Sequence, residues 1–468
     1  MQISKASDAL TGLLPSSSKL LKLARKCRFV MRRPRKIWPD DILRAVVCAV
    51  AEATPCFRSV AAKLGEITEA SPSRQAVFER LSHEAAPDFF WGALLEVLAG
   101  QWRRARSMDS GLDRLAAKLA GHFGRIIVED SSVVPLHASL AGTYRGSVNQ
   151  FGEGASLRLR WAFDLLTGGA LDTELRHWRE NDQSTAFDLL DHVRERDLVL
   201  RDMGYFSFEC LQEIEFRGAW WLTRLPEGTL VADADGQPLD WISSLRRSGA
   251  SLHEWEVRVG KNGEVRGRLV AARIDPAKAA ERRRELRESL RLKGRVPTAD
   301  QLALCDWVVV CTNTPAEVLP AAETAQLYRG RWMVEIFFKG LKSGQALEVW
   351  SRHRTNANAV LCMAYSHLTL AVLSLNLWRV LGRIVSLDEG SESADEDARQ
   401  ARRYDTSELR TVGMLMALPL LMGTLRGLLS RKLTRREAAK KLCNDARYSI
   451  QEKRKRPSLD AMIFALLA

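Results

Sequence analysis

The spacing of hydrophobic and polar positions changes along the chain and predicts helical ends around a strand-rich middle. From residue 39 to about 105, apolar residues recur at helical spacing, with helices predicted over 42–51, 57–65 (closed by Gly65) and 74–81. Alternation and short apolar runs then predict strands over 124–130, 157–166, 169–178, 197–202, 219–224, 252–259, 264–274 and 307–312. Helices are predicted between these strands at 184–193, 208–216 and 278–295, and after them at 327–342, at 356–381 and from residue 407.

Two of the predicted strands end in an aspartate. The strand 124–130 ends at Asp130, before two serines, and the strand that begins at Asp197 ends at Asp202, before a glycine turn. An aspartate at a strand end is often only a turn former or a helix cap. Either aspartate taken alone is therefore a weak signal of function.

A third feature is a helical stretch, 327–342, in which four polar residues share one face. At about 100° per residue, Tyr328, Arg331, Glu335 and Lys342 fall within an arc of roughly 60°. Most of the remaining circumference is apolar, which is typical of a buried helix. Charges on a buried stripe are costly unless they meet a metal, a phosphate or each other. An internal ion pair between Arg331 and Glu335 is the simplest alternative.

Composition indicates a large, basic protein. The chain has 468 residues, a net charge of +13 and a pI of about 9.5, which predicts two to four domains and suits a polyanion such as nucleic acid. An anionic membrane and a basic surface exposed only to solvent are the alternatives. No signal peptide and no apolar run of transmembrane length is predicted. Eight scattered cysteines without a C-x-x-C pair favour reduced thiols in a cytoplasmic protein and make a zinc site improbable.

The N-terminal helices contain a pattern typical of a helix-turn-helix. A short helix over 57–65 is followed by a turn at Ser71–Ser73 and by a second helix that starts at Arg74. Arg74, Gln75 and Arg80 are the residues of this second helix that we expect to contact DNA. The same pattern is common in ordinary helical bundles.

These motifs together resemble one known family. The spacing Tyr-x2-Arg-x3-Glu-x6-Lys from Tyr328 to Lys342 resembles the YREK motif of the insertion-sequence-4 family of bacterial DDE transposases. Asp130 followed by small hydroxyl residues resembles the first-aspartate motif of that family, and Asp202-x-Gly-Tyr resembles the second. Met203 is a departure, because many members have a basic residue there. The resemblance implies an α/β fold with an RNase H-like catalytic core, a mainly β insertion domain, and all-α N-terminal and C-terminal regions.

The resemblance also implies a division of the chain. The segments are a helical DNA-binding domain, the first part of the core, the insertion, the second part of the core with the YREK helix, and a helical C-terminal domain suited to dimerisation, at residues 1–110, 120–228, 229–314, 315–382 and 399–468 respectively.

In such a family Asp130, Asp202 and Glu335 are the catalytic carboxylates and bind two Mg²⁺ ions, for which Mn²⁺ substitutes. Hard oxygen ligands and a two-metal site suit phosphodiester cleavage. Tyr328, Arg331 and Lys342 are then expected to hold a DNA phosphate.

Trp307 stands where the family has a tryptophan that stacks on a flipped base. Stacking on an unpaired base and filling a protein core are both open for this residue.

The function that the resemblance implies is transposition. The protein is expected to bind terminal inverted repeats, to cleave both strands at the ends of the element through a hairpin, and to join the 3′-OH ends to target DNA as a homodimer, with no membrane involved. An RNase H-like nuclease and a repurposed, non-catalytic DNA-binding protein are the alternatives.

Overall fold

The computed structural model describes residues 7, 10, 12–53, 55–107, 122–149, 152–165, 169–177, 185–331, 335, 338, 347–389 and 414–449. The chain divides into two compact units. The first contains Met1–Ala117, Ser131–Glu180 and Met333–Ala468, and the second contains Lys118–Asp130 and Asn181–Trp332. This division groups part of the predicted core with the terminal helices, and the rest of it with the predicted insertion.

Fourteen α-helices lie in the described part of the chain. They are α1 Ser17–Lys26, α2 Pro39–Ala51, α3 Phe57–Ile67, α4 Arg74–Ser82, α5 Ala86–Ser107, α6 Phe208–Phe216, α7 Trp241–Arg247, α8 Pro276–Arg291, α9 Ala299–Leu304, α10 Ala321–Leu327, α11 Leu347–Ser351, α12 Ala357–Glu389, α13 Met414–Leu429 and α14 Arg435–Ser449.

Ten strands and four short 3-10 helices complete the described elements. The strands are β1 Arg125–Leu136, β2 Arg145–Asn149, β3 Gly152–Asp164, β4 Gly169–His177, β5 Asp197–Leu200, β6 Trp220–Thr223, β7 Val231–Asp233, β8 Leu252–Val259, β9 Val265–Arg273 and β10 Trp307–Thr312. The 3-10 helices are Ala138–Leu140, Asp188–His192, Met203–Tyr205 and Tyr328–Arg331. The fold class is therefore mixed α/β.

The second unit is built on a sheet that changes from parallel to antiparallel. The start of β1 pairs in parallel with β5, and β5 pairs in parallel with β6. From β6 onward the order is β10, β9, β8 and β7, and every one of these pairings is antiparallel. Because β5 is buried at all four positions, its continuous apolar run fits a strand covered on both faces.

The first unit combines an antiparallel ladder with a helical bundle. Strand β3 pairs with β2 and β4 and is the neighbour of β1. Helix α12 packs against α5, α2, α4, α13 and α14. Its segment Ala357–Leu377 is long and apolar enough to cross a membrane, contrary to the sequence prediction, but 89% of its most apolar window is buried inside the protein. This burial is typical of the central helix of a bundle.

Several element boundaries differ from the predictions. Helix α3 runs through Gly65 to Ile67, because Gly65 keeps a helical backbone and Thr68 ends the helix instead. The predicted helix 184–193 is represented by the 3-10 helix Asp188–His192. The predicted mainly β segment 229–314 contains three α-helices besides its strands, of which α8 is the longest.

Candidate active site

The register of the parallel strands brings the two strand-end aspartates to the same level. Ile126 is paired with Leu198, and Val128 with Leu200, at a constant offset. Two residues further along each chain are Asp130 and Asp202. Neighbouring strands lie about 4.8 Å apart, and side chains two positions apart point to the same face. The register, continued two residues beyond its last pair, therefore places both carboxylates side by side on one face. Asp202 follows the end of β5, whereas β1 continues to Leu136, so Asp130 lies within the strand and not at its end as the sequence predicts.

The local sequence explains why both carboxylates remain accessible. Ile126, Ile127 and Val128 are buried and anchor β1, whereas the Asp130 side chain is 18% exposed. Asp202 keeps an extended backbone, with φ −80° and ψ 166°, and it precedes the 3-10 helix Met203–Tyr205. Each aspartate thus lies two residues beyond the last registered pair of β1 and β5.

The Tyr-Arg part of the predicted motif reaches the two aspartates. The Arg331 Nη1 donates to Asp130 Oδ2 at 3.4 Å, and the Tyr328 hydroxyl donates to Asp202 Oδ1 at 3.4 Å. Both residues lie in a 3-10 helix that follows α10, not in the single α-helix predicted over 327–342. Residues three apart eclipse each other in a 3-10 helix, so Tyr328 and Arg331 still share a face.

Tyr328 is the most strongly perturbed of these groups. Burial raises the pKa of its phenol well above the usual range, and the neighbouring Asp202 carboxylate raises it further, while Arg331 and Arg224 act in the opposite direction. The phenol therefore stays protonated at neutral pH and acts as a hydrogen-bond donor to Asp202.

Sequence reasoning missed an ion pair directly before the aspartates. The Arg201 Nη2 lies 2.7 Å from Glu129 Oε2, and the side chains of both residues are almost fully buried. Burial alone would lower the pKa of the Arg201 guanidinium, but Glu129, Cys210 and Tyr205 reverse that effect and raise it. The sequence signal was present as a charged residue immediately before each strand-end aspartate.

Arg224 is a second residue that the sequence reasoning missed. Strand β5 is in parallel register with β6, with Leu198 opposite Trp220 and Leu200 opposite Leu222. The Arg201 N–H extends the ladder by donating to the Leu222 carbonyl at 3.2 Å. Arg224 is exposed, and the register of β5 and β6, continued two residues, places it level with Asp202.

The other two residues of the motif are Glu335 and Lys342. Glu335 is helical and half-buried, and Lys342 lies outside the described residues. Within the described part of the chain, no three His, Cys, Asp or Glu side chains come close enough to hold a metal ion. The carboxylates that the register of β1 and β5 aligns are those of Asp130 and Asp202. These two hard oxygen donors fit Mg²⁺, which binds through one or two carboxylates and keeps several waters.

Trp307 fills a core instead of presenting a free ring. Its side chain is 4% exposed and packs with Leu245 and Ala271 in the hydrophobic cluster between α7, β9 and β10. The Arg273 guanidinium lies 4.6 Å from its ring centroid. In this structure the core-filling alternative holds for Trp307. Trp241 and Trp255 are the half-buried tryptophans packed against this cluster, and the Trp255 ring is stacked on that of His253 with 5.3 Å between the ring centroids.

The three residues of the N-terminal helices that are predicted to contact DNA differ in the contacts that their side chains make within the protein. Arg74 and Gln75 are exposed at the start of α4, where Ser73 caps the helix, and Gln75 donates to Glu79 at 3.0 Å. Arg80 donates to the Phe29 carbonyl at 3.0 Å, and its guanidinium lies 5.2 Å from the Phe29 ring centroid. Arg80 therefore holds the segment before α2 against α4.

Comparisons with known proteins agree on one family. Residues 121–373 match the family described as the transposase DDE domain. The transposase for insertion sequence element IS231B of Bacillus thuringiensis subsp. berliner is 25% identical over 71% of this chain and 71% of the relative. The transposase for IS231E of subsp. finitimus is 22% identical over 85% and 82%, and that for IS1151 of Clostridium perfringens is 20% identical over 75% and 76%. These matches confirm the resemblance that the motifs carry.

A solved structure is similar over almost the whole chain. The piggyBac transposase, in a synaptic complex with hairpin DNA, covers 98% of this chain and 87% of its own at 10% identity, with a TM-score of 0.41.

Proposed function

The chain belongs to the DDE-domain transposases of insertion sequences, and we propose that it excises its element and inserts it elsewhere through the carboxylates Asp130, Asp202 and Glu335. The observation that carries this proposal is the level placement of Asp130 and Asp202 on neighbouring parallel strands. Asp130 and Asp202 are two carboxylates on neighbouring strands, and each is contacted by a residue of the same motif. Such a pair is suited to phosphodiester chemistry.

Asp130 and Asp202 would be ligands of Mg²⁺, and Glu335 is proposed as the third ligand. When bound, two such ions supply an activated water and neutralise charge on the phosphate oxygens. The protein contributes the fixed direction of the donors. Asp202 is held by the Tyr328 hydroxyl, and Asp130 by the Arg331 guanidinium, before any substrate arrives.

Arg331, Arg224 and Lys342 are proposed to bind the DNA backbone. Arg331 presents a planar fork that suits two phosphate oxygens, and Lys342 supplies a point charge. Arg224, level with Asp202 and exposed, is a further phosphate contact on the neighbouring strand. These residues would orient the scissile phosphate over the carboxylates.

The reaction is proposed to proceed in four steps. Hydrolysis at the end of the element frees a 3′-OH, which attacks the opposite strand and closes a hairpin. Water reopens the hairpin, and the 3′-OH then attacks target DNA. In each step a P–O bond to the attacking oxygen forms while the P–O bond to the departing oxygen breaks, and the attacking hydroxyl or water gives up a proton as the departing oxygen takes one up.

The fold supports a layout in which this site belongs to an RNase H-like core. Strand β1 is the neighbour of β3 in the first unit and of β5 in the second, with β6 following β5. The exposed Arg74 and Gln75 on α4 are proposed to contact the inverted repeat, with two copies of the chain acting as a homodimer on paired ends. The net charge of +13 favours this partner.

The test is cleavage of the inverted repeats that flank the gene. A labelled duplex is incubated with protein and Mg²⁺ or Mn²⁺, and the products are resolved on a denaturing gel. We expect metal-dependent nicks, hairpins and joined ends from the unmodified protein. Asp130→Asn, Asp202→Asn and Glu335→Gln should each lose more than about 1,000-fold in rate, because each removes a ligand charge.

Asp235→Asn is the matched control, since Asp235 is an exposed aspartate in the turn after β7. It should cleave normally. Nicks without hairpins or joined ends would favour the nuclease alternative. Tight binding without any cleavage would favour the repurposed DNA-binding protein, and cleavage that survives in all three carboxylate variants would refute the proposed site.

A further inference from the structure

Glu129 and Arg201 form a buried ion pair, and each of them immediately precedes one of the two aspartates. Glu129 precedes Asp130 on β1, and Arg201 precedes Asp202 after β5. The offset that places the aspartates level also places Glu129 level with Arg201. Successive side chains of a strand point to opposite faces, so this pair lies on the face of the sheet opposite the aspartates.

The surroundings of the pair fix it in one arrangement. Glu129 is fully buried, and the Arg201 residue is 3% exposed. The Arg201 Nη1 donates to Cys210 Sγ at 3.0 Å, and its guanidinium lies 5.4 Å from the Tyr205 ring centroid. Helix α6 and the turn after Asp202 therefore hold the arginine from two further sides.

The pair stands where the backbone ladder between the two strands runs out. The registered pairs of β1 and β5 end at Val128 and Leu200. The next residue on each chain is a member of the ion pair, at 2.7 Å between Nη2 and Oε2, and the residue after that is an aspartate. The ion pair is thus the cross-strand connection closest to the two carboxylates.

We infer that Glu129 and Arg201 are positioning residues, which hold the ends of β1 and β5 together so that Asp130 and Asp202 face one cation. The inference rests on the proposed function, because it assumes that these aspartates are the ligands. Neither residue touches substrate. Their effect passes through the backbone of the following residue, and Tyr328 joins the same assembly by donating to the Arg201 carbonyl at 3.4 Å.

Stability alone does not account for an ion pair at this position. Two buried charges lose their hydration, and a well-packed apolar pair of similar volume is often equally stable or more stable. An apolar pair does not attract one particular partner, whereas a guanidinium and a carboxylate attract each other across the two strands. Such a link is useful where two ligands must keep a fixed separation.

The experiment compares two double variants of the full-length protein. Glu129→Leu with Arg201→Met replaces the pair by apolar side chains and leaves no buried charge unpaired. The matched control is Arg125→Met with Asp197→Leu, because Arg125 Nε and Asp197 Oδ1 pair at 3.0 Å across the same two strands, five residues before the aspartates. Thermal unfolding shows whether each variant is folded, and electron paramagnetic resonance of Mn²⁺ gives the metal affinity.

The first variant should unfold within a few degrees of the unmodified protein and bind the inverted repeat equally well. Its Mn²⁺ affinity should fall by about 10- to 100-fold, the usual loss when the support of a metal ligand is removed, and cleavage should slow by a similar factor. The control should keep its Mn²⁺ affinity. Arg201→Lys, which keeps the charge, should recover part of the affinity that Arg201→Met loses.

Unchanged Mn²⁺ affinity in the folded first variant would overturn the inference while leaving the proposed function intact. An equal loss of Mn²⁺ affinity in the control would also overturn it, because removal of any ion pair between β1 and β5 would then have the same effect. If the unmodified protein neither binds Mn²⁺ nor cleaves the repeats, the proposed function fails, and the inference fails with it.

Discussion

The hydroxyl of Tyr328 lies 3.4 Å from Asp202 Oδ1 and 3.4 Å from the carbonyl oxygen of Arg201. One phenol thus contacts the second aspartate and the backbone of the residue that precedes it, across 126 residues of sequence. The contact ties the beginning of the Tyr-Arg motif to the end of β5.

Tyr328→Phe removes this donor and keeps the aromatic ring. We expect the free energy of unfolding to fall by about 1 kcal/mol, the usual net value of one hydrogen bond, and cleavage to slow by about tenfold. Urea unfolding and single-turnover cleavage check the two values. Unchanged cleavage in the folded variant would contradict a role for the phenol at Asp202.

The same phenol predicts an alkaline loss of stability. Its pKa is raised in the folded protein, so the folded state holds the proton more tightly than the unfolded state. The stabilisation is complete below the ordinary tyrosine pKa of about 10 and is lost as the pH rises above it, by up to about 1.4 kcal/mol per pH unit. Unfolding measured from pH 8 to 11 should show a steeper decline for the unmodified protein than for Tyr328→Phe.

Arg331→Gln separates metal binding from phosphate binding. Arg331 shares Asp130 with any bound cation, so we expect Mn²⁺ affinity to stay equal or to increase when the guanidinium is removed. Cleavage should fall by about 100-fold, because a charged donor to the phosphate is lost. Arg331→Lys keeps the charge but not the planar guanidinium, so its cleavage rate should lie between those of the unmodified protein and Arg331→Gln. A tenfold loss of Mn²⁺ affinity in Arg331→Gln would argue against this assignment.

Arg224→Gln tests the cation that stands level with Asp202. The variant should bind the inverted repeat more weakly, and the slope of log affinity against log salt should decrease by about 1, as expected for one lost phosphate contact. Fluorescence anisotropy at several salt concentrations gives that slope. Arg246→Gln, in the exposed pair with Asp300, is the control and should leave the slope unchanged.

Trp307→Ala distinguishes a core residue from a base-stacking residue. Because the indole is buried, we expect the free energy of unfolding to fall by about 3–5 kcal/mol. Trp255→Ala, at the half-buried neighbour, should cost less stability. Chemical denaturation of both variants decides the point. A Trp307→Ala protein of normal stability that has lost DNA affinity would restore the stacking alternative.

The aspartates that we propose as catalytic stand out in the sequence because their signal is local. A buried apolar run that stops at an acidic residue appears twice, and the parallel pairing of β1 and β5 turns that repetition into proximity. The family match over residues 121–373 then agrees with the spacing of the Tyr-Arg-Glu-Lys motif. The positions of most strands were therefore easier to predict than helix ends: α3 continues through Gly65 to Ile67, whereas the sequence predicts its end at the glycine.

The remaining features depend on contacts between distant parts of the chain. Glu129 and Arg201 meet only because the register aligns two segments 72 residues apart, and neither residue stands in a recognisable motif. Trp307 was ambiguous because a tryptophan at a strand start suits a core and a platform equally. Its neighbours Leu245 and Ala271, which decide the matter, come from other elements of the same unit.

Each aspartate directly follows a member of the ion pair, so the two side chains point to opposite faces of the sheet. A change of one residue in the length of the strand would therefore move both side chains to the wrong face. Deleting a single residue within 197–200 would turn Arg201 to the solvent side and Asp202 into the core, because side chains alternate with a period of two. Deleting two residues would restore the faces but shift the level of Asp202 relative to Asp130 by about 6.6 Å. Insertions in the exposed turn after β7 have no such consequence. Laboratory variants of altered length should therefore keep activity in that turn and lose it within β5.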